Sequence, residues 1–191
     1  MPEYKYQWFK WWTEATFTKF LLPEFGRNNG KPPIRYLEIG VWEGASCHWV
    51  LTNLNVKAAV AVDPWLPSKK HPAEEVDGIY EKAKANLGQW VKNATLEIFR
   101  KTSSDFFRDC FPAAPFDLIY IDGDHTYEAV TADCIGAWDA IVPGGIIVWD
   151  DYRKKHLASL GPQAIDEFLD EHKGQWDLFY LSKDQISVRK K

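Results

Sequence analysis

The chain has 191 residues, 46% of them hydrophobic, and carries 23 basic against 27 acidic side chains for a net charge of −4. That length suits one domain with a full core, and the slight acidic balance argues against a general nucleic-acid or membrane-surface binder, which carries a basic patch. The scattered Cys47, Cys110 and Cys134 make neither a disulfide framework nor a metal-spaced pair, the first residues lack a signal peptide's basic start and apolar core, and no apolar run reaches the roughly eighteen residues of a membrane span, so a cytoplasmic protein acting on small molecules is expected.

Tyr6 to Leu22 reads as a helix closed by Pro23 and Gly26, with Trp8, Phe9, Trp11, Trp12, Phe17 and Phe20 distributed nearly all round it. Such a helix needs cover on more than one side, whether on a sheet, in a homo-oligomer interface or as a lid over a pocket. With the turn Asn28-Asn-Gly-Lys-Pro-Pro33, residues 1–30 serve as a lead into the first strand, Arg35 to Gly40. That strand runs into Val41-Trp-Glu-Gly-Ala-Ser46, a glycine-bearing turn that opens a helix through about Thr52. A second apolar run, Ala58 to Val62, ends at Asp63. This acid follows the turn by roughly the twenty-residue offset at which a carboxylate meets ribose hydroxyls.

The loop Pro64 to Pro72 leaves the carboxyl end of that strand, and a helix over Ala73 to Leu87 leads to a third strand, Ala94 to Phe99. Ser103 or Ser104 is a candidate cap for a short helix through Phe107. Two further apolar runs, Leu118 to Ile121 and Ile146 to Trp149, each stop abruptly in acids: Asp122 and Asp124 after one, Asp150 and Asp151 after the other. Tyr127 to Ile141 is the helix between them, and Pro143-Gly144-Gly145 introduces the second run. A last helix, Pro162 to His172, precedes a hairpin of Trp176 to Leu181 and Gln185 to Val188. Strands alternating with helices and closed by a hairpin indicate a doubly wound α/β sheet, mostly parallel, with an antiparallel last strand.

Ligands gather outside the carboxyl ends of strands in such sheets, so the acids at those ends carry the functional argument. One acid there is an ordinary turn or cap residue. Asp122, Asp150 and Asp151 at the ends of adjacent central strands would repel one another without a cation or proton between them. The glycine turn alone suits several nucleotides, but a pyrophosphate would be repelled by Glu38 at the strand end and Glu43 in the turn, and the spacing Gly40-x-x-x-Gly44 departs from G-x-G-x-x-G. A nucleoside bearing a cationic, amine-containing tail suits these acids, and S-adenosylmethionine is such a ligand.

Leu37-Glu-Ile-Gly-Val-Trp-Glu-Gly-Ala-Ser46, Val62-Asp-Pro-Trp65, Ile121-Asp-Gly-Asp-His-Thr-Tyr127 and Pro143-Gly-Gly-Ile-Ile-Val-Trp-Asp-Asp-Tyr152 together resemble the class I S-adenosylmethionine-dependent methyltransferases over Arg35 to Val188. The last two segments resemble the metal-dependent small-molecule O-methyltransferases of the macrolide-sugar and catechol type. The resemblance implies a Rossmann-like seven-stranded sheet of order 3-2-1-4-5-7-6 with strand 7 antiparallel, here preceded by the aromatic helix. It implies that Glu38, Gly40 and Ser46 line the methionine portion of the cofactor, that Gly44 also belongs to the cofactor site, that Asp63 holds the ribose, and that Trp65 and Ser104 flank the adenine. Asp122 would border the cofactor and, with Asp150 and Asp151, hold a metal; oxygen-only ligands favour Mg²⁺. His125 stands three residues after Asp122, where catechol-type enzymes carry a lysine base, and imidazole as a class titrates near neutrality. Asp151 replaces an asparagine of the catechol pattern.

The expected activity is methyl transfer to a hydroxyl of a small molecule. Three alternatives stay open at the level of sequence. One is a metal-independent methyltransferase using His125 and the acids directly. Another is a nicotinamide-dependent oxidoreductase, which Glu43 and the missing third glycine disfavour. The last is a non-catalytic cofactor-binding subunit assembled through the aromatic helix.

Overall fold

The computed structural model describes residues 11–67, 71–110, 114–152 and 160–191. Apolar runs between turn residues form β1 (Ile34–Ile39), β2 (Val56–Val62), β3 (Leu96–Phe99), β4 (Phe116–Ile121) and β5 (Ile141–Trp149), and the final hairpin supplies β6 (Trp176–Leu181) and β7 (Ile186–Lys190). They make one seven-stranded sheet of order β3-β2-β1-β4-β5-β7-β6. β1 to β5 pair in parallel, and β7 runs antiparallel to both β5 and β6. This is the order and polarity expected from the motifs.

Side chains alternate across the central strands. Tyr36, Leu118, Tyr120, Ile146 and Val148 face one core, which α1 (Trp11–Phe25), α2 (Ala45–Asn53) and α3 (Ala73–Lys92) cover. Leu37, Ile39, Ile119, Ile121, Ile147 and Trp149 face the other, beneath α4 (Ser103–Asp109), α5 (Tyr127–Ala140) and α6 (Gly161–Glu171). Strands buried on both faces read as continuous apolar runs for this reason.

The aromatic α1 packs on the sheet. Phe17 meets Trp49 and Tyr120 edge-on, at 5.4 and 5.2 Å between centroids, while Phe20 stacks on Tyr180 at 4.5 Å. Burying a side chain of this size contributes ~2–3 kcal/mol. The expected start of the helix, Tyr6 to Lys10 with Trp8 and Phe9, lies outside the described residues, as do parts of the loops before Pro72 and after Tyr152.

Several boundaries differ from expectation. α1 runs on through Pro23 to Phe25, because a proline near the last turn forfeits one hydrogen bond while Leu21 and Phe25 remain buried. α3 passes Leu87 and Gly88, and its next apolar contact, Trp90, holds the added turn. β5 starts at Ile141, which pairs with Phe116, and an irregularity between Phe116 and Leu118 absorbs the Pro143–Gly145 segment. The cap of α4 is Thr102 rather than Ser103 or Ser104: its hydroxyl accepts from the Asp105 N–H at 3.1 Å.

Backbone bonding continues one residue past the central strands. Asp63 N donates to Phe99 O, Gly40 N to Val62 O, Asp122 N to Ile39 O and Asp150 N to Ile121 O. Asp63, Gly40, Asp122 and Asp150 therefore stand in one row at the carboxyl edge of the sheet.

Candidate functional site

The glycine turn is held by close approach and by an acid. Gly40 has φ +82°, and a Cβ there would lie 2.0 Å from Asp122 O, so only glycine lets the β1 end meet the β4 end. Trp42 also has positive φ, 51°, and Gly44 serves as the left-handed residue before α2. Asp63 fixes this strained turn: Oδ2 accepts from the Val41 and Trp42 N–H groups, both at 2.9 Å, and Oδ1 from the Trp65 N–H at 2.7 Å. Burial raises the Asp63 pKa, and these three N–H groups oppose the rise.

Glu38 is 0% exposed. The Ser46 hydroxyl donates to its Oε1 and the Tyr36 phenol to its Oε2, each at 2.5 Å. Burial still dominates and moves its pKa from 4.5 to about 7. Tyr36 was not among the expected residues, although its place two positions before Glu38 on one strand face was legible. Glu43 turns away from the row and pairs with Lys82 of α3 at 3.0 Å, so the acid standing behind the turn is Glu38.

The native fold binds the Glu38 proton more tightly than the unfolded chain, so this group makes stability fall as pH rises from 4.5 to about 7, with no contribution to the slope outside that window. Urea denaturation of the wild type and Glu38→Gln across that interval is expected to show a shallower decline in the variant. Identical slopes would reject the buried neutral form.

On the other side of Gly40, the β4–α5 loop builds the acidic centre. Asp124 is exposed and accepts from the Thr126 N–H at 2.9 Å, a turn role, and Thr126 caps α5. Among the described residues, ligand atoms of Asp122, His125 and Asp151 converge to within 4.8 Å of one another. His125 Nε2 lies 3.5 Å from Asp151 Oδ2, and the Asp151 side chain is only 10% exposed. The left-handed backbone of Asp151, φ 58°, turns its carboxylate toward the histidine. Asp150 sits beside this group, lining a small recess with His125, Asp151, Val130 and Gly161. The converging set is thus two carboxylates and an imidazole, a donor set that fits a divalent cation.

Ser104 is exposed on the first turn of α4. Trp65 is close in sequence to Asp63 but points into the core: it is 2% exposed, its Nε1 donates to Trp42 O at 3.0 Å, and its ring meets Tyr80 at 4.8 Å. Among the described residues no helix is long and apolar enough to cross a membrane.

Comparison with known proteins agrees with this layout. The family profile described as "Methyltransferase domain" matches residues 37–152, from the β1 segment through Tyr152. An uncharacterised protein of Acanthamoeba polyphaga mimivirus is 28% identical over 128 residues, covering 64% of this chain and 53% of the relative, so the chain spans about half the length of that curated protein. Among solved structures, an O-methyltransferase from Bacillus cereus in complex with S-adenosylhomocysteine superposes with a TM-score of 0.60 at 20% identity, over 82% of this chain and 74% of that one. The O-methyltransferase TomG from Streptomyces achromogenes, in complex with S-adenosylmethionine, gives 0.58 at 18% identity over 82% and 72%. A putative rRNA-methylase from Clostridium thermocellum gives 0.63 at 12% identity over 94% and 96%. At these identities the structural likeness is one of fold.

Proposed function

The chain belongs to the methyltransferase-domain family, and on that footing we propose that it transfers the methyl group of S-adenosylmethionine to a hydroxyl of a small molecule. The observation that carries this reading is the convergence of Asp122, His125 and Asp151 beside the Gly40 turn, at the carboxyl edge of the sheet. The cofactor-bound O-methyltransferases of the same fold support the choice of cofactor and of oxygen as acceptor.

The acceptor oxygen attacks the methyl carbon in line with the C–S bond, the bonding pair leaves on sulfur as S-adenosylhomocysteine, and the hydroxyl proton must go to a base. Sulfonium is already a good leaving group, so the acceptor is the difficulty. Asp122 and Asp151, with His125 or Asp150 completing the set, would hold a divalent cation, which when bound lowers the pKa of an oxygen lying on it. Glu38, reached through Ser46, and the backbone of the Gly40–Gly44 turn would receive the amino-acid end of the cofactor. Asp63 both braces that turn and stands at the ribose position.

His125 can take the proton or ligate a cation, but Nε2 serves one role at a time. Its 3.5 Å approach to Asp151 supports a second reading, in which Asp151 orients His125 as the base and no metal is needed.

The test is calorimetric titration of S-adenosylhomocysteine into the protein, with Mg²⁺ and with chelator, followed by an acceptor screen under both conditions. Cofactor binding is expected in both, with turnover lost in chelator. Turnover that survives chelation selects the metal-free reading. No binding in either condition rejects the methyltransferase assignment.

A further inference from the structure

Gln185 is a buried polar side chain that the proposed chemistry does not use. It immediately precedes β7 and is 2% exposed. Its Oε1 accepts from the Tyr180 phenol at 2.9 Å. Its Nε2, also buried, has no hydrogen-bond partner among the described residues. The hairpin turn does not account for this side chain, because the turn is closed through the Gln185 backbone: its N–H donates to the Ser182 hydroxyl at 3.1 Å and its carbonyl accepts from the Ser182 N–H at 2.9 Å. A carboxamide nitrogen offers two donors, and a buried donor without a partner bears the cost of its lost hydration.

The register places this group in the functional row. β5 and β7 pair antiparallel with Trp149 opposite Ile186, and Tyr152 N donates to Asp184 O at 2.8 Å, so the two segments stay together beyond the last ladder pair. Gln185 therefore stands opposite Asp150. It extends the row of Asp63, Gly40, Asp122 and Asp150 by one strand, since the sheet runs β2-β1-β4-β5-β7. Two strand spacings, ~10 Å, separate its backbone from that of Asp122. Two side chains and two hydrogen bonds of ~2.9 Å fill most of such a span, which leaves the two bonded ligand atoms as near neighbours.

Alternation along β7 gives the side. Ile186 and Val188 enter the core beneath α4, α5 and α6, so Gln185 faces the α1 side, where Tyr180 stacks on Phe20 of α1 at 4.5 Å. One end of the carboxamide is thus fixed by a phenol that α1 itself holds, and the other end carries the donor.

We infer that Gln185 is an acceptor-binding residue that determines specificity: its Nε2 donates to a second oxygen of the methyl acceptor, adjacent to the hydroxyl that is methylated. The ligand class is a small molecule with vicinal oxygens, a diol or a hydroxyl beside a carbonyl or ether. The inference rests on the methyltransferase reading.

The test is titration of catechol, and of phenol as the probe lacking the second oxygen, into the wild type, Gln185→Met and Tyr180→Phe, each saturated with S-adenosylhomocysteine and Mg²⁺. The wild type is expected to hold catechol more tightly than phenol. Gln185→Met removes the donor at nearly constant size; it is expected to weaken catechol by about tenfold, the scale of one hydrogen bond, and to leave phenol unchanged. Tyr180→Phe severs the Tyr180–Gln185 bond but keeps the amide N–H, and is expected to keep the preference. A preference due only to chelation of the cation survives Gln185→Met, and simple loosening of the fold weakens both probes alike. In either case the catechol-to-phenol ratio stays at its wild-type value, which overturns the inference. A Tyr180→Phe protein that loses as much preference as Gln185→Met overturns it too, since that is the mark of a glutamine with a structural role alone.

Should Gln185→Met not fold, Gln185→Glu keeps the shape and the acceptor for Tyr180 while its carboxylate offers no donor. It is expected to lose the preference, and a retained preference overturns the inference equally. A wild type that does not bind S-adenosylhomocysteine rejects the methyltransferase reading itself. One that binds it but holds catechol and phenol alike, or holds neither, overturns only the inference on Gln185.

Discussion

Asp122→Asn is expected to reduce methyl transfer by about a hundredfold or more, given that even groups supporting a metal ligand cost 10–100-fold when removed. The substitution keeps the shape of the side chain and leaves the Asp122 N–H on Ile39 O, so the sheet edge is undisturbed. What changes is charge. Asp122 is the member of the converging group that comes from β4, with His125 and Asp151 approaching from separate loop positions. Neutralising it removes one of the two carboxylates of the converging set. Initial rates with a hydroxyl acceptor, melting temperature and S-adenosylhomocysteine affinity together check the prediction. The expected pattern is lost turnover with the other two retained; unchanged turnover would reject Asp122 as a working carboxylate under either chemical reading.

Gly40→Ala is expected to destabilise the fold by roughly 2–5 kcal/mol, the sum of a left-handed residue bearing a Cβ, ~1–2 kcal/mol, and overpacking, ~1–3 kcal/mol. The Cβ would fall 2.0 Å from Asp122 O and 2.7 Å from Gly123 N, backbone atoms that cannot rotate away. Relief requires the glycine turn to part from the β4–α5 loop, and cofactor binding is expected to be lost with it. Gly144→Ala is the matched control. It has the same φ of +82° but nothing within 4 Å of the added carbon, so only the conformational part of about 1–2 kcal/mol applies. Urea denaturation of both variants separates the two contributions, and equal losses would mean that the close approach at Gly40 carries no energy.

Much of the fold was legible because burial on both sides leaves a plain trace. Leu118 to Ile121 and Ile146 to Trp149 are too short and too uniformly apolar to be surface helices, and each ends in acids where the sheet meets solvent. Boundaries were less legible where a local rule and tertiary packing pull in different directions. Pro23 and Gly88 ordinarily interrupt a helix, yet α1 and α3 continue past them because Phe25 and Trp90 gain cover from the rest of the molecule. At the α4 cap, three successive hydroxyl residues, Thr102 to Ser104, compete on equal local terms, and only the direction of the entering chain selects Thr102.

The sequence by itself determined which residues would reach the functional edge: Glu38, Gly40, Asp63, Asp122, Asp150 and Asp151 are fixed there by strand length and by the breaks after each apolar run. Tertiary structure decided how they divide the work. Strand position sets a residue's place along the sheet edge, whereas the aim of a carboxylate depends on the backbone angles of the following loop and on partners distant in sequence. Asp63 therefore turns its oxygens onto the glycine turn, Glu38 becomes a buried acid between Tyr36 and Ser46, and Trp65 enters the core. The left-handed Asp151, not Asp150, meets His125. Gln185 carried no pattern of its own, since a glutamine beside a hairpin turn has the same local character exposed or buried, and only the pairing of β7 with β5 places it opposite Asp150.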